Sequence, residues 1–210
     1  MEQIQVEVRN VSERALLKEF SRQAERLTAI GYDAADLEPL RQKISNMQIP
    51  MRKGGIPFVI AVPAVIANPK LQMQNLILLN IRGYVRLPIQ KIGYANGATV
   101  PNKPYLLVDV EPGLKTSGMT PERCTEVFKD QGRLGLTAEE GIALATQFPE
   151  LFNVLEGGNP RKIYLPGATF GPESTLYVWR NEQGEIWLYC GWTSKVEPGG
   201  RSASCVNRIS

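Results

Sequence analysis

The segment from Pro104 to Phe152 constrains the fold of this chain more than any other. It begins with the apolar run Tyr105–Val110, which stops at a proline–glycine pair. Two capped helical patterns follow, from Thr120 to Gln131 and from Thr137 to Phe148, and a glycine-rich turn joins them. These patterns predict a buried strand and two helices, a compact unit on which the flanking segments can pack.

The segment before this unit predicts a helical hairpin followed by strands. Apolar residues between Ser12 and Ile30 recur three and four apart, with Ser12 placed to cap the first turn and Gly31 placed at the C-terminal cap. A second helix is predicted from Asp36 to about Met47. The β-branched run Ile56–Pro63 and the apolar run Leu76–Ile81 predict two strands.

The two ends of the chain predict further extended structure. Alternation of polar and apolar residues over positions 1–10 predicts a short edge strand or an arm. Leu176–Arg180 and Ile186–Cys190 flank a four-residue polar turn and predict a β-hairpin. Its tryptophans, Trp179 and Trp187, are expected to pair across the strands. The last twenty residues are rich in small side chains and predict neither helix nor strand.

Together these elements predict an α+β fold in one domain spanning residues 1–210. We expect one central mixed sheet with a helical hairpin over residues 11–48 and a core unit over 55–152 that contains the two central helices. A β-hairpin over 174–192 and an irregular tail over 193–210 complete it. The hydrophobic fraction of 43% and the charged fraction of 21% are those of a globular chain.

The absence of histidine excludes much familiar chemistry. With no histidine in 210 residues, the chain has no Ser-His-Asp or Cys-His nucleophile and no imidazole metal ligand. Three scattered cysteines match neither a zinc site nor a disulfide framework. Glycine pairs are present without a phosphate-binding or dinucleotide fingerprint. We therefore expect no metal and no cofactor, and the sequence favours a non-catalytic role.

The remaining catalytic candidates are Asp109, Glu111 and Arg133. Asp109 and Glu111 stand two apart at the end of the predicted central strand, where α/β enzymes place acids, bases and ligands. The structural alternative is that Asp109 caps a turn or pairs with an arginine.

Two segments are candidate binding surfaces. The first is the long polar loop Gly93–Pro104, since long loops inside compact domains often carry function. The second is the tail, which we expect to fold back on the domain and present Trp192, Lys195, Arg201, Cys205 and Arg208. For Cys205 the sequence favours a packed, unreactive cysteine, and the alternative is a thiol whose pKa is lowered by its basic surroundings.

Charge and hydropathy limit the partners. The formal net charge of +3 is small, and cations and acids alternate along most of the chain, so we expect no tight nucleic-acid binding. No apolar run approaches the ~20 residues of a membrane span, and the first residues lack a basic region followed by an apolar one. We therefore expect no signal peptide, no membrane insertion and a cytoplasmic location.

Several of these segments resemble a bacterial family known only as a domain of unknown function. The resemblance rests on Phe20–Tyr32, Gly55–Val59, Tyr105–Val110, Leu136–Leu144 and Ser202–Cys205, and it spans residues 15 to 206. It implies no activity. Where family members have a segment with tryptophan and histidine before the Ser-Ala-Ser-Cys tail, this chain has residues 193–200 without either.

The sequence therefore leaves two functional hypotheses. The first is a partner-binding or scaffold-type accessory protein whose partner is another protein. The alternative is a small-molecule-binding or enzymatic domain that uses Asp109 and Glu111 at the strand end.

Overall fold

The computed structural model describes residues 10–50, 52–95, 97–153, 155–156 and 158–210. The alternating segment 1–9 therefore lies outside the described residues. The helices are α1 (Glu13–Ala29), α2 (Ala34–Ser45), α3 (Pro69–Asn75), α4 (Pro121–Asp130) and α5 (Ala138–Gln147). The strands are β1 (Ile56–Ala61), β2 (Gly83–Val85), β3 (Gly93–Tyr94), β4 (Tyr105–Val110), β5 (Leu134–Gly135), β6 (Leu155–Glu156), β7 (Asn159–Pro160), β8 (Lys162–Leu165), β9 (Ala168–Thr169), β10 (Ser174–Arg180), β11 (Ile186–Trp192), β12 (Gly200–Ser202), β13 (Ser204–Cys205) and β14 (Asn207–Ile209).

The α+β class is confirmed, but the strands form two principal sheets rather than one central mixed sheet. Antiparallel β1, β4 and β14 form a three-stranded sheet in the order β1-β4-β14. The second sheet has five strands in the order β12-β8-β10-β11-β2. Its two edge strands pair in parallel with their neighbours, β12 with β8 and β2 with β11. The predicted hairpin is its centre, and Trp179 is the register partner of Trp187.

Helix α5 lies between the two sheets, and this position explains why there are two. Every residue of α5 is buried, including Glu139 and Glu140. One side of α5 packs on Val59 and Leu107 of the smaller sheet, and its apolar residues share a core with Leu176 and Val178 of the larger one. A helix that is buried all round needs cover on opposite sides.

The helical hairpin covers the other face of the smaller sheet. Leu16, Phe20 and Leu40 of α1 and α2 pack against Phe58 and Ile60, which alternate along β1 with residues facing α5. Ser12 caps α1 as predicted, since its hydroxyl accepts from the Ala15 amide at 3.3 Å. At the other end Gly31 has a φ of 98°, and its amide donates to the Thr28 carbonyl in a Schellman-type cap.

The strand predicted over Leu76–Ile81 is wrong. Those residues instead form a 3₁₀ helix, Leu76–Leu79, that continues α3 and ends at Asn80 in the left-handed region. Asn68 caps α3 by accepting from the Leu71 amide at 3.0 Å, and Pro69 occupies the first helical position. A short apolar run has no periodicity that separates strand from helix, whereas this Asn-Pro start does.

Candidate functional site

Asp109 does not serve as an accessible strand-end carboxylate. It is buried, and its Oδ2 lies 2.7 Å from Nε of Arg52 and 3.5 Å from Nη1 of Arg133. Its φ of 51° interrupts the alternation of the strand, so the two-residue spacing to Glu111 does not imply a shared face. The structure thus brings Asp109 and Arg133 together as an ion pair.

Glu111 closes the turn that follows β4. Its carboxylate accepts from the amides of Leu114 at 2.6 Å and Lys115 at 3.4 Å. Its backbone exchanges hydrogen bonds of 2.8 and 3.0 Å with Ser204 of the tail. Glu111 therefore acts on the backbone around it, in the manner of a turn-capping acid.

The tail packs on the domain, and the expectation that it contains no strand is wrong. It completes β11 and then supplies β12, β13 and β14, which pair with β8, β5 and β4. These strands have two or three residues each, so their pairing with distant segments, rather than local propensity, determines them. The irregular tail predicted over residues 193–210 is instead three short strands joined by turns.

Cys205 is fully buried and is not an activated thiol. Burial is the main cause that raises its pKa to about 12, and the charge of Glu140 acts in the same direction. The nearby arginines do not lower this pKa, because loss of solvation outweighs the charges of Arg208 and Arg133. Cys205 is a core residue.

The five tail residues do not form one exposed face. Trp192 is about half exposed, with the Lys195 ammonium 5.7 Å from its ring centroid. Arg208 points inward instead, and its side chain is 7% exposed. Arg201 is half buried and has a partner of its own. Only Trp192 and Lys195 remain together as an accessible pair of the predicted set.

The loop Gly93–Pro104 borders a cleft of about 760 Å³. We call it the loop cleft. Its walls are loop residues 95 and 97–101, one side of α4, the turn at residues 133–135, Pro166 and Gly167, and tail residues Asn207 and Arg208. Its volume lies in the range of small-molecule sites. Predicted candidates from three separate segments, the long loop, Arg133 and Arg208, thus meet at one cavity.

Two glycines form part of the wall of the loop cleft by close approach of their backbones. A Cβ on Gly135 would lie 2.8 Å from the Gly167 amide nitrogen, and one on Gly167 would lie 2.3 Å from the Gly135 carbonyl oxygen. The Gly167 amide donates to Leu136, and its carbonyl accepts from Ala95. Glycine is required at both positions because no side chain fits there.

Arg208 is held at the edge of this cleft by Glu140. Its Nε and Nη2 donate to the two carboxylate oxygens at 2.5 and 2.9 Å, and Nη2 also donates to the Gly135 carbonyl at 3.0 Å. Glu140 further accepts from the Thr137 amide and the Tyr105 hydroxyl. Burial lowers the pKa of Arg208, but the hydrogen bond and charge of Glu140 outweigh it and raise that pKa.

The neighbouring Glu139 has a different environment. It is buried beside a mostly apolar cavity of about 320 Å³, and it accepts from the Tyr94 hydroxyl at 2.6 Å. Burial raises the pKa of Glu139, and the Tyr94 hydrogen bond opposes that shift. Sequence reasoning did not single out Glu139, because a carboxylate in a helical first turn normally faces solvent and favours the helix dipole.

A second accessible feature is an apolar surface around α3. Lys70, Leu71, Gln74, Ile77 and Leu78 are exposed and recur three and four apart, whereas Gln72, Met73 and Leu76 are buried. Val65 and Ile66 of the preceding turn are also exposed. We call Val65, Ile66, Leu71, Ile77 and Leu78 the α3 surface. A helical unit that is apolar on both sides normally has a partner on each.

The sequence does contain a signal for this surface. From Pro39 to Val108 the chain has no Asp or Glu, but it has nine basic residues: Arg41, Lys43, Arg52, Lys53, Lys70, Arg82, Arg86, Lys91 and Lys103. The small net charge of the whole chain conceals this run. Arg86 lies 4.5 Å from the centroid of the Trp187 ring, which stacks on Tyr84.

Two other classes of site are not indicated. Among the described residues, no group of three or more Cys, Asp and Glu side chains is arranged to hold a metal ion. In the same part of the chain, no helix has the length and apolar character needed to cross a bilayer.

The structure defines an α+β protein with a buried helix between two sheets and a cleft beside its long loop. A family of unknown function, DUF5701, matches residues 20–157, and the chain belongs to that family. The matched segment contains α1 from Phe20 onward, α2, the α3 surface, the loop Gly93–Pro104 and α5. The β10–β11 hairpin and the tail lie beyond it. No curated protein and no solved structure matches the chain.

Proposed function

We propose that this chain is an accessory protein of the bacterial cytoplasm that binds an acidic partner protein through the α3 surface. The observation that carries the proposal is the outward side of α3 and its 3₁₀ extension, where Ile77 is 55% exposed and Leu78 is 59% exposed. Aliphatic side chains grouped in this way commonly mark an interaction site. Three free cysteines suit a reducing compartment.

The chemistry of the partner follows from the segment Pro39–Val108, which has basic residues but no Asp or Glu. Lys70 lies on α3 itself, and exposed Arg82 and Arg86 flank β2 immediately after it in the chain. An acidic rim around an apolar centre would complement this arrangement. A second copy of the chain would not, since a two-fold interface would place the same basic residues opposite each other.

The enzymatic alternative has no comparable support. Asp109 is engaged by two arginines, and Glu111 is engaged by backbone amides. A substrate would have to displace these partners before either carboxylate became available. Trp192 and Lys195 remain a second place where a protein could dock, and the experiment below separates the two surfaces.

The test is affinity capture from the native cell with three forms of the chain. We expect the parent and Trp192→Ser to capture the same acidic protein, and the double variant Ile77→Ser/Leu78→Ser to lose it. All three must show the same thermal unfolding midpoint, since the replaced side chains are exposed. Loss with Trp192→Ser alone would move the site to the tail, and equal capture by all three forms would refute the proposal.

A further inference from the structure

The loop cleft is a concave site with a basic wall. Lys129, Arg133 and Arg208 line it, and no Asp or Glu is among the described residues that do so. Apolar surface comes from Val100, Phe128 and other lining residues. Cavities of this size with a few converging polar groups are the usual form of a small-molecule site.

The two arginines are fixed before any ligand arrives. Arg133 donates through Nε to the Ser204 hydroxyl at 2.8 Å and through Nη2 to the Asp109 carbonyl at 2.7 Å. Arg208 uses Nε and Nη2 for Glu140 and Gly135, and among the described residues nothing accepts from its Nη1. An arginine held in this way presents its free donors at low entropic cost.

Lys129 supplies an exposed charge. It is exposed in the last turn of α4, and no described residue forms an ion pair with it. Two carboxylates pair with the arginines here, Asp109 with Arg52 and Arg133, and Glu140 with Arg208. The net charge around the cleft stays positive, because these three arginines and Lys129 outnumber the two carboxylates.

We infer that the loop cleft binds a small organic anion, with a carboxylate or phosphate group directed at Lys129 and Arg208. The apolar part of that molecule packs on Phe128 and Val100. Fixed guanidinium donors suit the oxygens of either anion, and the lysine adds a point charge. This site is separate from the α3 surface and does not depend on the proposed partner.

The experiment titrates the full chain with phenyl phosphate, benzoate and the uncharged benzyl alcohol, and follows backbone amides by nuclear magnetic resonance. We expect both anions to shift the Gly97, Gly135 and Gly167 amides and to bind at least about tenfold more tightly than the alcohol. The tighter anion of the two identifies the preferred head group.

Two variants, each of which removes one positive charge, complete the design. Lys129→Gln should weaken anion binding about tenfold, whereas Lys18→Gln, on the exposed side of α1, should leave it unchanged. Both replace an exposed helical lysine, so folding is unaffected. The inference is overturned if benzyl alcohol binds as tightly as the anions, if the shifts lie elsewhere, if both variants behave alike, or if none of the three probes binds.

Discussion

The Arg208 guanidinium holds the Glu140 carboxylate through two hydrogen bonds, of 2.5 and 2.9 Å. This pair joins β14, which ends one residue before Ser210, to the first turn of α5, the helix between the two sheets. Glu140 at the same time accepts from the Thr137 amide, which it caps. The last strand therefore stabilises the start of the central helix directly.

Replacing Arg208 with alanine should lower the free energy of unfolding by about 3–5 kcal/mol, because it leaves Glu140 buried without its counter-ion. Urea unfolding of the variant and the parent measures this difference. Lys195→Ala, an exposed change in the same tail, is the control and should alter stability by less than about 0.5 kcal/mol. Similar midpoints for Arg208→Ala and Lys195→Ala would show that the buried pair contributes little.

Removing the charge of Glu139 and removing that of the adjacent Glu140 should change the stability of the protein in opposite directions. Burial raises the folded-state pKa of Glu139, so its protonated form is favoured in the folded protein. Its contribution to stability is present below the unfolded pKa and is lost as pH rises through the folded pKa. Glu139→Gln should therefore be more stable than the parent at pH 7, and this gain should shrink toward pH 4.

Glu140→Gln provides the contrast, since it leaves the Arg208 charge buried and should destabilise the protein at pH 7. Unfolding curves for the parent and both variants at pH 4 and pH 7 test the pair. A loss of stability in Glu139→Gln that grows with pH would contradict the assignment of Glu139 as the carboxylate whose ionisation opposes folding.

Local sequence signals were sufficient to place the starts of α4 and α5. Thr120-Pro121 and Thr137-Ala138-Glu139-Glu140 placed the first residues of α4 and α5 correctly, because capping depends on residues within one turn. The same signal was available at Asn68-Pro69 and identifies α3 once it is considered. The apolar composition of the following residues instead indicated a strand.

Features that depend on distant contacts were not predictable. β14 exists because its residues pair with β4, about a hundred positions earlier in the chain. The left-handed backbone of Asp109 has no local cause, and its carbonyl is held by Arg133 at 2.7 Å. Such contacts also bring the walls of the loop cleft together. The sequence therefore identified several of its segments as candidates but did not predict that they meet at one cavity.

Thr137→Ala should reduce the free energy of unfolding by about 1 kcal/mol, the usual effect of losing an N-cap. In the structure its side chain approaches the third helical amide, although its hydroxyl makes no hydrogen bond of normal geometry. Thr120→Ala is the matched comparison, since the Thr120 hydroxyl accepts from the Arg123 amide at 3.2 Å. If only Thr120→Ala loses stability, the Glu140 carboxylate alone caps α5.

The chain should not bind nucleic acid tightly. Its net charge is +3, and tight binders usually neutralise many phosphates at once. Fluorescence anisotropy with single- and double-stranded oligonucleotides at two salt concentrations measures the affinity. The acid-free segment from Pro39 to Val108 makes low salt the most demanding condition. Submicromolar binding with a steep salt dependence would disprove this prediction.

The amides from Ser202 to Val206 should exchange with solvent as slowly as those of the β10–β11 hairpin. The Ser202 amide donates to the Thr116 hydroxyl at 2.9 Å, and the Ala203 amide donates to the Tyr164 carbonyl at 3.0 Å. The amides of Ser204 and Val206 donate to carbonyls in and just after β4.

These tail amides lie in buried surroundings, since Ser202, Ala203 and Cys205 are almost inaccessible. Exchange therefore requires the whole tail to leave the domain, which would break the Arg208–Glu140 pair and expose β4 as an edge. Hydrogen–deuterium exchange at residue resolution measures this directly, and Arg208→Ala should accelerate exchange over the same segment. Unprotected rates at Ser202–Val206 in the parent would show that the tail detaches freely, and the basic wall it gives to the loop cleft would be lost with it.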